Sequence, residues 1–371
     1  MDSGPKIVII DDHIEELSPL NELVKERGAS FTQVVFPADV DEELLKDADL
    51  VVVDFTLSEW IDNVDVDQVA LQPRNGVALA SVLRQHCANL RDFPPTGFAL
   101  ITGQPEKLGA VPSERRPHVI SRLNNFEWFF EKRASEPSVA KRNADQIISL
   151  ASAIKSLPNS VGEELGTIES LLAYLGIQSD NELFERFSGS VQRCRPPIHH
   201  LAQASHGLIV LRWLLHRILP YTTFLVGDLG LAARLRVEPS WLDAELNSES
   251  SLKAELDSYQ YAGPLSNFDG RRFWREGVEQ HLWNVTEGKS SNSEAIHEYL
   301  GKHCGSVDKL DLKRPVITLD HKLQVENAFS ESDDVLPILL DDWPSYAEPA
   351  YIRKTELNSN QEMNMFLDDA N

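Results

Sequence analysis

Five side chains in the first third of the chain have the types and spacing to act together chemically. Asp11 and Asp12 follow one apolar run, and Asp54 follows a second. Thr102 and Arg122 follow two further runs. If these runs are parallel strands, their carboxyl ends share the edge of the sheet where ligands bind. Because clustered carboxylates repel one another unless a cation joins them, the set predicts a divalent metal ion and an incoming phosphoryl group.

Alternating strand and helix patterns would place these side chains. Apolar residues recur at helix spacing in residues 14–27, which stop at Gly28, and in residues 76–87. A last helix is predicted to carry Phe129 and Phe130. The strands are predicted at residues 6–10, 31–35, 49–53, 97–101 and 117–121.

Taken in order, these motifs resemble the receiver domain of two-component response regulators. The resemblance is carried by the Asp11-Asp12 pair after strand one, Asp54 after strand three, Thr102 after strand four and a basic residue, Arg122, after strand five. It covers about a third of the chain. It implies an α/β fold with a flavodoxin-like, doubly wound, five-stranded parallel sheet. We expect a mainly α-helical C-terminal domain to follow.

The resemblance also implies a role for each of three side chains. Asp54 would be the phosphoacceptor, a carboxylate nucleophile that attacks the phosphorus of a phosphohistidine. Thr102 would donate a hydrogen bond to the new phosphoryl group. Arg122 would supply a positive charge to it.

A Mg²⁺ cofactor is implied in the same way. Asp12, Asp54 and the backbone carbonyl of Thr56 would hold the ion, and Asp11 would act through water. Oxygen ligands and retained water are what magnesium prefers.

Three departures from the family pattern accompany the resemblance. The family normally has lysine in place of Arg122 and proline in place of Leu123, and Val119 stands where an aromatic switch residue is often found. Residues 58–75 are longer than a usual βα loop. They form either a lid or docking loop over the acidic edge or a surface insertion without a role.

Composition limits the function classes. The chain has 371 residues and a formal net charge of −23, so nucleic acid and anionic membranes would repel it, and DNA is not expected as a partner. Cys87, Cys194 and Cys304 show neither a metal spacing nor a disulfide framework. The apolar stretch 208–219 is short and carries charge, so no membrane insertion is expected. A cytoplasmic protein fits these features.

We predict three regions: a receiver domain at 1–138, a helical domain at 139–310, and short extended elements with an acidic tail at 311–371. Within the C-terminal regions, His199 and His206 share a helix face near His200. They are either ordinary helix histidines, a phosphotransfer site or part of a metal site.

Two further C-terminal stretches allow alternative interpretations. Residues 231–246 have the cadence of a helix-turn-helix, but their acidic residues favour a helical hairpin packed in a core. Arg271, Arg272 and Arg275 form the densest basic cluster of the chain. They would either clamp a phosphate or nucleotide or pair with acidic groups of the same protein.

The function predicted is therefore phosphorelay signalling. A histidine kinase or phosphotransfer protein would donate a phosphoryl group to Asp54, and the chain would pass that state to an effector protein or serve as a phosphate reservoir. The chain would not be an enzyme beyond slow autodephosphorylation. The alternatives are a receiver-regulated effector enzyme that acts on a nucleotide or phosphate through the C-terminal domain, and a degenerate receiver that serves as an acidic interaction scaffold.

Overall fold

The chain forms two compact units in a computed structural model. Unit 1 comprises Met1–Thr167, Pro197–His216 and Asn267–Asp269, and unit 2 comprises Ile168–Pro196, Arg217–Ser266 and Gly270–Asn371. The domain boundaries that the sequence predicts at residues 138 and 310 stay predictions. The structure describes residues 4–46, 48–57, 75–89, 95–109, 111, 115–132, 136–201 and 206–359.

Unit 1 is built around a five-stranded sheet in which every neighbouring pair of strands is parallel. The strand order β2-β1-β3-β4-β5 is that of flavodoxin-like, doubly wound folds. The central strands are continuous apolar runs, as expected for strands that are covered on both faces. The strands are β1 (Lys6–Ile10), β2 (Phe31–Val35), β3 (Leu50–Asp54), β4 (Gly97–Thr102) and β5 (Trp128–Glu131).

Helices cover the sheet, and the predicted fold class is confirmed. The connecting helices are α1 (Ile14–Glu26), α2 (Glu42–Lys46), α3 (Gly76–Asn89), α4 (Arg116–Asn124) and α5 (Pro137–Lys155). Further helices of unit 1 are Val161–Glu164, Ile198–Leu201 and Leu208–Trp213, the last continued by a π-helical turn at Leu214–Ile218.

The prediction for the fifth strand was wrong in position. Residues 117–121 lie in α4, and the aromatic residues assigned to a last helix form β5 instead. Helix α4 ends because Asn125 adopts a left-handed conformation, with φ of 60°, and its backbone N–H bonds the carbonyl of Ser121. The aromatic run that follows suits a strand.

Unit 2 is mostly helical, with a short ribbon of two strands and a mixed four-stranded sheet of order β10-β11-β8-β9. All four strands of this sheet lie within residues 311–371, where the sequence predicts short extended elements. The strands are β6 (Leu225–Gly227), β7 (Arg272–Trp274), β8 (Pro315–Leu319), β9 (Val325–Glu331), β10 (Val335–Ile338) and β11 (Ala350–Arg353). The helices are Ile168–Tyr174, Phe184–Arg193, Asp228–Leu235, Pro239–Leu246, Ser251–Asp257, Arg275–Val285, Ser293–His303 and Lys354–Ser359.

Two further sequence predictions concern residues 58–75 and membrane insertion. The lid or insertion proposed for 58–75 lies outside the described residues except for Asn75. Within the part of the chain that the structure describes, no helix has both the length and the apolar character needed to cross a membrane.

Candidate functional site

Three buried carboxylates meet at one edge of the sheet of unit 1. One ligand atom from each of Asp11, Asp12 and Asp54 lies within 4.8 Å of the others. The three residues are 0%, 7% and 4% exposed. We refer to these three residues as the carboxylate pocket. The structure thus brings together the acidic residues that the sequence placed at two separate strand ends.

The sheet topology explains why these carboxylates converge. Strand β1 pairs with β2 on one side and with β3 on the other, so the topological switch point lies between β1 and β3. Backbone N–H groups then fix the side chains. His13 donates to Asp11 Oδ1 at 2.7 Å, and Thr56 donates to Asp54 Oδ2 at 2.7 Å.

Lys132 supplies the positive charge of the pocket. Its Nζ lies 2.6 Å from Asp11 Oδ2 and 2.7 Å from Asp54 Oδ1, and its side chain is 16% exposed. Lys132 directly follows β5, which is the position that the sequence analysis gave to Arg122. Arg122 instead lies exposed on α4 because the predicted strand is a helix. The assignment of the strand-five cation to Arg122 therefore depended on a strand that does not exist.

The corrected register also changes the predicted departures from the family pattern. With Lys132 in the basic position, the residue three places earlier is Phe129, an aromatic side chain that is 1% exposed. Val119 and Leu123 lie on α4 and do not occupy the positions assigned to them.

Burial and the neighbouring charges act against each other at Asp54 and at Lys132. Burial raises the pKa of Asp54 from 3.8 to about 6, with Asp11 adding to the rise, while Lys132 and the Thr56 N–H oppose it. Burial alone would lower the pKa of Lys132, but the charges of Asp54 and Asp11 outweigh it and raise that pKa.

Thr102 ends β4 beside the pocket. It is 1% exposed, its carbonyl accepts a hydrogen bond from the Lys132 N–H at 2.7 Å, and its Oγ1 accepts one from the Gln104 N–H at 3.1 Å. The hydroxyl can therefore donate a hydrogen bond to a group that enters the pocket.

Gly76 allows α3 to begin against the acceptor strand. A Cβ atom at this position would lie 2.0 Å from the backbone oxygen of Asp54, so a larger residue cannot fit without moving the chain. The preceding Asn75 accepts a hydrogen bond from the Ala78 N–H at 2.9 Å and starts the helix. The close approach of α3 to β3 therefore requires glycine at position 76.

The donor set fits a hard divalent cation. The carboxylate oxygens of Asp11, Asp12 and Asp54 are available within one small volume, and all three are acidic oxygen donors. Oxygen donors are the ligands that Mg²⁺ and Ca²⁺ prefer, and an added divalent charge would offset the carboxylate repulsion. The metal identity is not fixed by these residues.

The C-terminal histidines do not form a comparable group. His199 and His200 are exposed on the short helix Ile198–Leu201, and His206 lies outside it. Among the described residues, the acidic cluster of unit 1 is the one group of three or more side chains that meets the geometric requirement for a metal.

The arginine cluster of unit 2 (Arg271, Arg272 and Arg275) is held by groups of its own unit. Arg271 bonds Asp228 at 3.1 Å, Asp243 at 2.6 Å and Asn247 at 2.9 Å. Burial works against its charge, yet the bonds to Asp228 raise its pKa.

The other two arginines of the cluster also have partners. Arg272 donates to the Leu219 carbonyl at 3.2 Å, and Arg275 lies 3.8 Å from both Glu276 and Glu279. These contacts support the intramolecular interpretation of the cluster.

Comparisons with known proteins add little. No protein-family model matches the chain, and no curated protein matches it. A solved structure of the response regulator RcsB from Salmonella typhimurium, described in terms of conformational dynamism for DNA interaction, aligns with 57% of this chain and 98% of its own chain. The identity is 13% and the TM-score is 0.26, which is too low to carry an argument.

Proposed function

We propose that unit 1 is a receiver that accepts a phosphoryl group on Asp54 from a histidine kinase or a phosphotransfer protein. The observation that carries the proposal is the position of the Lys132 ammonium, 2.6 Å from Asp11 and 2.7 Å from Asp54 at the edge of a parallel sheet. An acceptor carboxylate, two further acids, a hydroxyl and a lysine together meet the requirements of phosphoryl transfer.

Each side chain has a distinct task in this transfer. A carboxylate oxygen of Asp54 attacks phosphorus, the P–N bond to the donor histidine breaks, and the imidazole leaves with that electron pair. Lys132 stabilises the negative charge of the transferred group, and the Thr102 hydroxyl donates a hydrogen bond to a phosphoryl oxygen. Arg122 has no part in this chemistry.

Mg²⁺ would be held by Asp12, Asp54 and the backbone carbonyl of Thr56, with Asp11 acting through water. When bound, it supplies positive charge that offsets the carboxylate repulsion and the charge of the phosphoryl group. The side chains themselves orient the acceptor, because Thr56 fixes one oxygen of Asp54 and leaves the other facing Lys132.

For the output we favour protein interaction or phosphate storage. The net charge of −23 weighs against a nucleic-acid partner. An effector enzyme that uses the arginine cluster is disfavoured, because Arg271 is already neutralised by Asp228 and Asp243. A purely structural receiver is disfavoured because burial raises the pKa of the Asp54 carboxyl to about 6, and this burial of a charged group costs stability that a bound ligand would offset.

Labelling with a small phosphodonor tests the proposal. The full chain is incubated with phosphoramidate and Mg²⁺, and the intact mass is measured. We expect the wild type and Asp145→Asn to gain one phosphoryl group and Asp54→Asn to gain none. Asp145 is a matched control because it lies on α5 of the same unit, 54% exposed and paired with Arg27. Equal labelling of all three proteins, or none in the wild type, would contradict the proposal.

A further inference from the structure

Unit 1 includes a piece of chain that returns to it from unit 2. After Thr167 the chain enters unit 2, and it is again part of unit 1 over Pro197–His216. We call Leu208–His216 the return segment. It consists of a helix and the first part of a π-helical turn, and within this turn the chain leaves unit 1 again, between His216 and Arg217.

A partly buried ion pair fixes the return segment to the connection between α4 and β5. Arg212 donates to Glu127 Oε1 at 2.5 and 3.1 Å and to Asn125 Oδ1 at 2.6 Å. Glu127 is 1% exposed, and its other oxygen accepts the backbone N–H of Phe98 at 2.5 Å. Glu127 is thus bonded both to strand β4 and to Arg212, so it connects the return segment directly to a strand of the sheet.

Two histidines make the second connection. His118 Nδ1 on α4 lies 3.1 Å from His216 Nδ1 on the return segment. The His216 ring stacks on Trp128 of β5 at 5.8 Å, and the His118 ring meets the same indole edge-on at 4.9 Å. Burial, with His118 and Arg122 adding to it, lowers the pKa of His216 to about 3, so this imidazole is neutral near pH 7. The contact is a hydrogen bond between rings and not a repulsion between two cations.

The first turn of α4 is joined to the edge of the carboxylate pocket. Arg116 pairs with Glu131 at 2.5 Å and also donates to the carbonyl of Val111. Glu131 directly precedes Lys132 and pairs in register with Thr102. Helix α4 is therefore held at Arg116 by the strand end that carries Lys132, and two residues later, at His118, by the return segment.

We propose that the side of unit 1 formed by α4 and β5, here called the α4–β5 side, is the docking surface for the chain's own return segment. Through this contact the return segment reports the state of the carboxylate pocket at the point where the chain passes into unit 2. This inference rests on the proposed function. A phosphoryl group adds negative charge beside Lys132 and Thr102, and any displacement of those strand ends acts on Glu131 and so on Arg116. Helix α4 passes the change to His118 and His216. Signalling is then intramolecular, since the α4–β5 side is taken by this chain.

Hydrogen exchange of the full chain tests the docking surface. Beryllofluoride with Mg²⁺ stands in for the phosphoryl group, and Mg²⁺ alone is the reference. In the wild type we expect exchange of amides 208–216 to change about 5-fold or more, the lower range of ordinary coupling between sites. His118→Phe keeps a ring against Trp128 but removes the hydrogen bond, so this change should be lost. His86→Phe, on α3 and exposed, is the matched control and should keep it.

Binding itself is followed separately by the rise in unfolding temperature with beryllofluoride, which should persist in His118→Phe and vanish in Asp54→Asn. If His118→Phe does not fold, Arg116→Gln takes its place and should lose the same exchange response. Binding without any exchange response at 208–216, or a response that survives in both α4 variants, overturns the docking proposal and leaves the receiver function standing. Failure of the wild type to bind beryllofluoride overturns the receiver function and this inference with it.

Discussion

The carboxylate pocket of unit 1 and the arginine cluster of unit 2 each gather like charges, and their surroundings differ. In the pocket, Lys132 contacts Asp11 and Asp54, and burial raises the pKa of Asp54 to about 6. In the cluster, Arg271 contacts two carboxylates and an amide of its own unit. Burial thus works against the charged form of Asp54 in the pocket, whereas the partners of Arg271 in the cluster favour its charged form and raise its pKa. A carboxyl group whose pKa is shifted in this way, rather than the density of charge, is the physical sign of a ligand site.

The largest effect that would test this contrast comes from removing the pocket's cation. Lys132→Met leaves two buried carboxylates without their ammonium, and we expect it to destabilise the metal-free chain by about 3 kcal/mol. Arg122→Met, on exposed α4, should change stability by less than about 0.5 kcal/mol. Urea unfolding in EDTA measures both. Equal losses in the two variants would mean that the pocket does not depend on Lys132.

Removing the charge of Asp54 should increase the stability of the metal-free chain, which is the opposite of the effect expected for Lys132→Met. Because the folded-state pKa of Asp54 lies above its ordinary value of 3.8, the folded chain binds the extra proton. The stability that this group contributes is present below pH 3.8 and is lost as pH rises through about 6. Asp54→Asn should therefore stabilise the metal-free chain by about 2 to 3 kcal/mol near pH 7, the equivalent of a shift of about two pKa units.

The pH dependence distinguishes this explanation from a simple packing change. The gain of Asp54→Asn over the wild type should shrink as the pH falls through about 6 and disappear below pH 3.8, where Asp54 is protonated in both the folded and the unfolded chain. Unfolding curves at several pH values in EDTA, with Asp145→Asn in parallel, measure it. A gain that is independent of pH would show that charge burial at Asp54 is not its cause.

Magnesium should stabilise the wild type by mass action. A free concentration tenfold above the dissociation constant adds about 1.4 kcal/mol to the free energy of unfolding. The gain should be absent in Asp12→Asn and should weaken below about pH 6, where protons compete for Asp54. Thermal unfolding with and without Mg²⁺ measures it. An equal gain in Asp12→Asn would place the ion outside the carboxylate pocket.

The part of the pocket that could be predicted is the part set by local pattern. The Asp11-Asp12 pair follows one unbroken apolar run and Asp54 ends another, and such runs are strong signals for buried parallel strands. The edge they share then follows from the sheet type. The structure brings these three carboxylates together as expected, and their roles stay predictions.

Lys132 was missed because two competing local signals were misjudged. The segment His118-Val119-Ile120 has β-branched apolar residues, yet α4 surrounds it, since the helix is fixed by packing and by the turn at Asn125. The aromatic run at 128–130 carried the correct strand signal, and the Asn124-Asn125 pair before it was a recognisable turn signal. The return segment, by contrast, depends on contacts such as Arg212 with Glu127, 85 residues apart, which no local pattern reports.

The smallest effect expected is at the arginine cluster. Arg271→Gln loses the bonds to Asp228 and Asp243, but Asp243 is 61% exposed, so the loss should be only about 1 kcal/mol. Arg193→Gln, whose arginine is 62% exposed beside Glu276, is the matched control and should lose less. Titration of the wild type with inorganic phosphate and with ATP, followed by calorimetry, should give no binding that Arg271→Gln removes. Binding of either anion that disappears in Arg271→Gln and survives in Arg193→Gln would make the arginine cluster a ligand site as well. The two regions would then differ in the charge of the ligand that each binds, and not in whether they bind one.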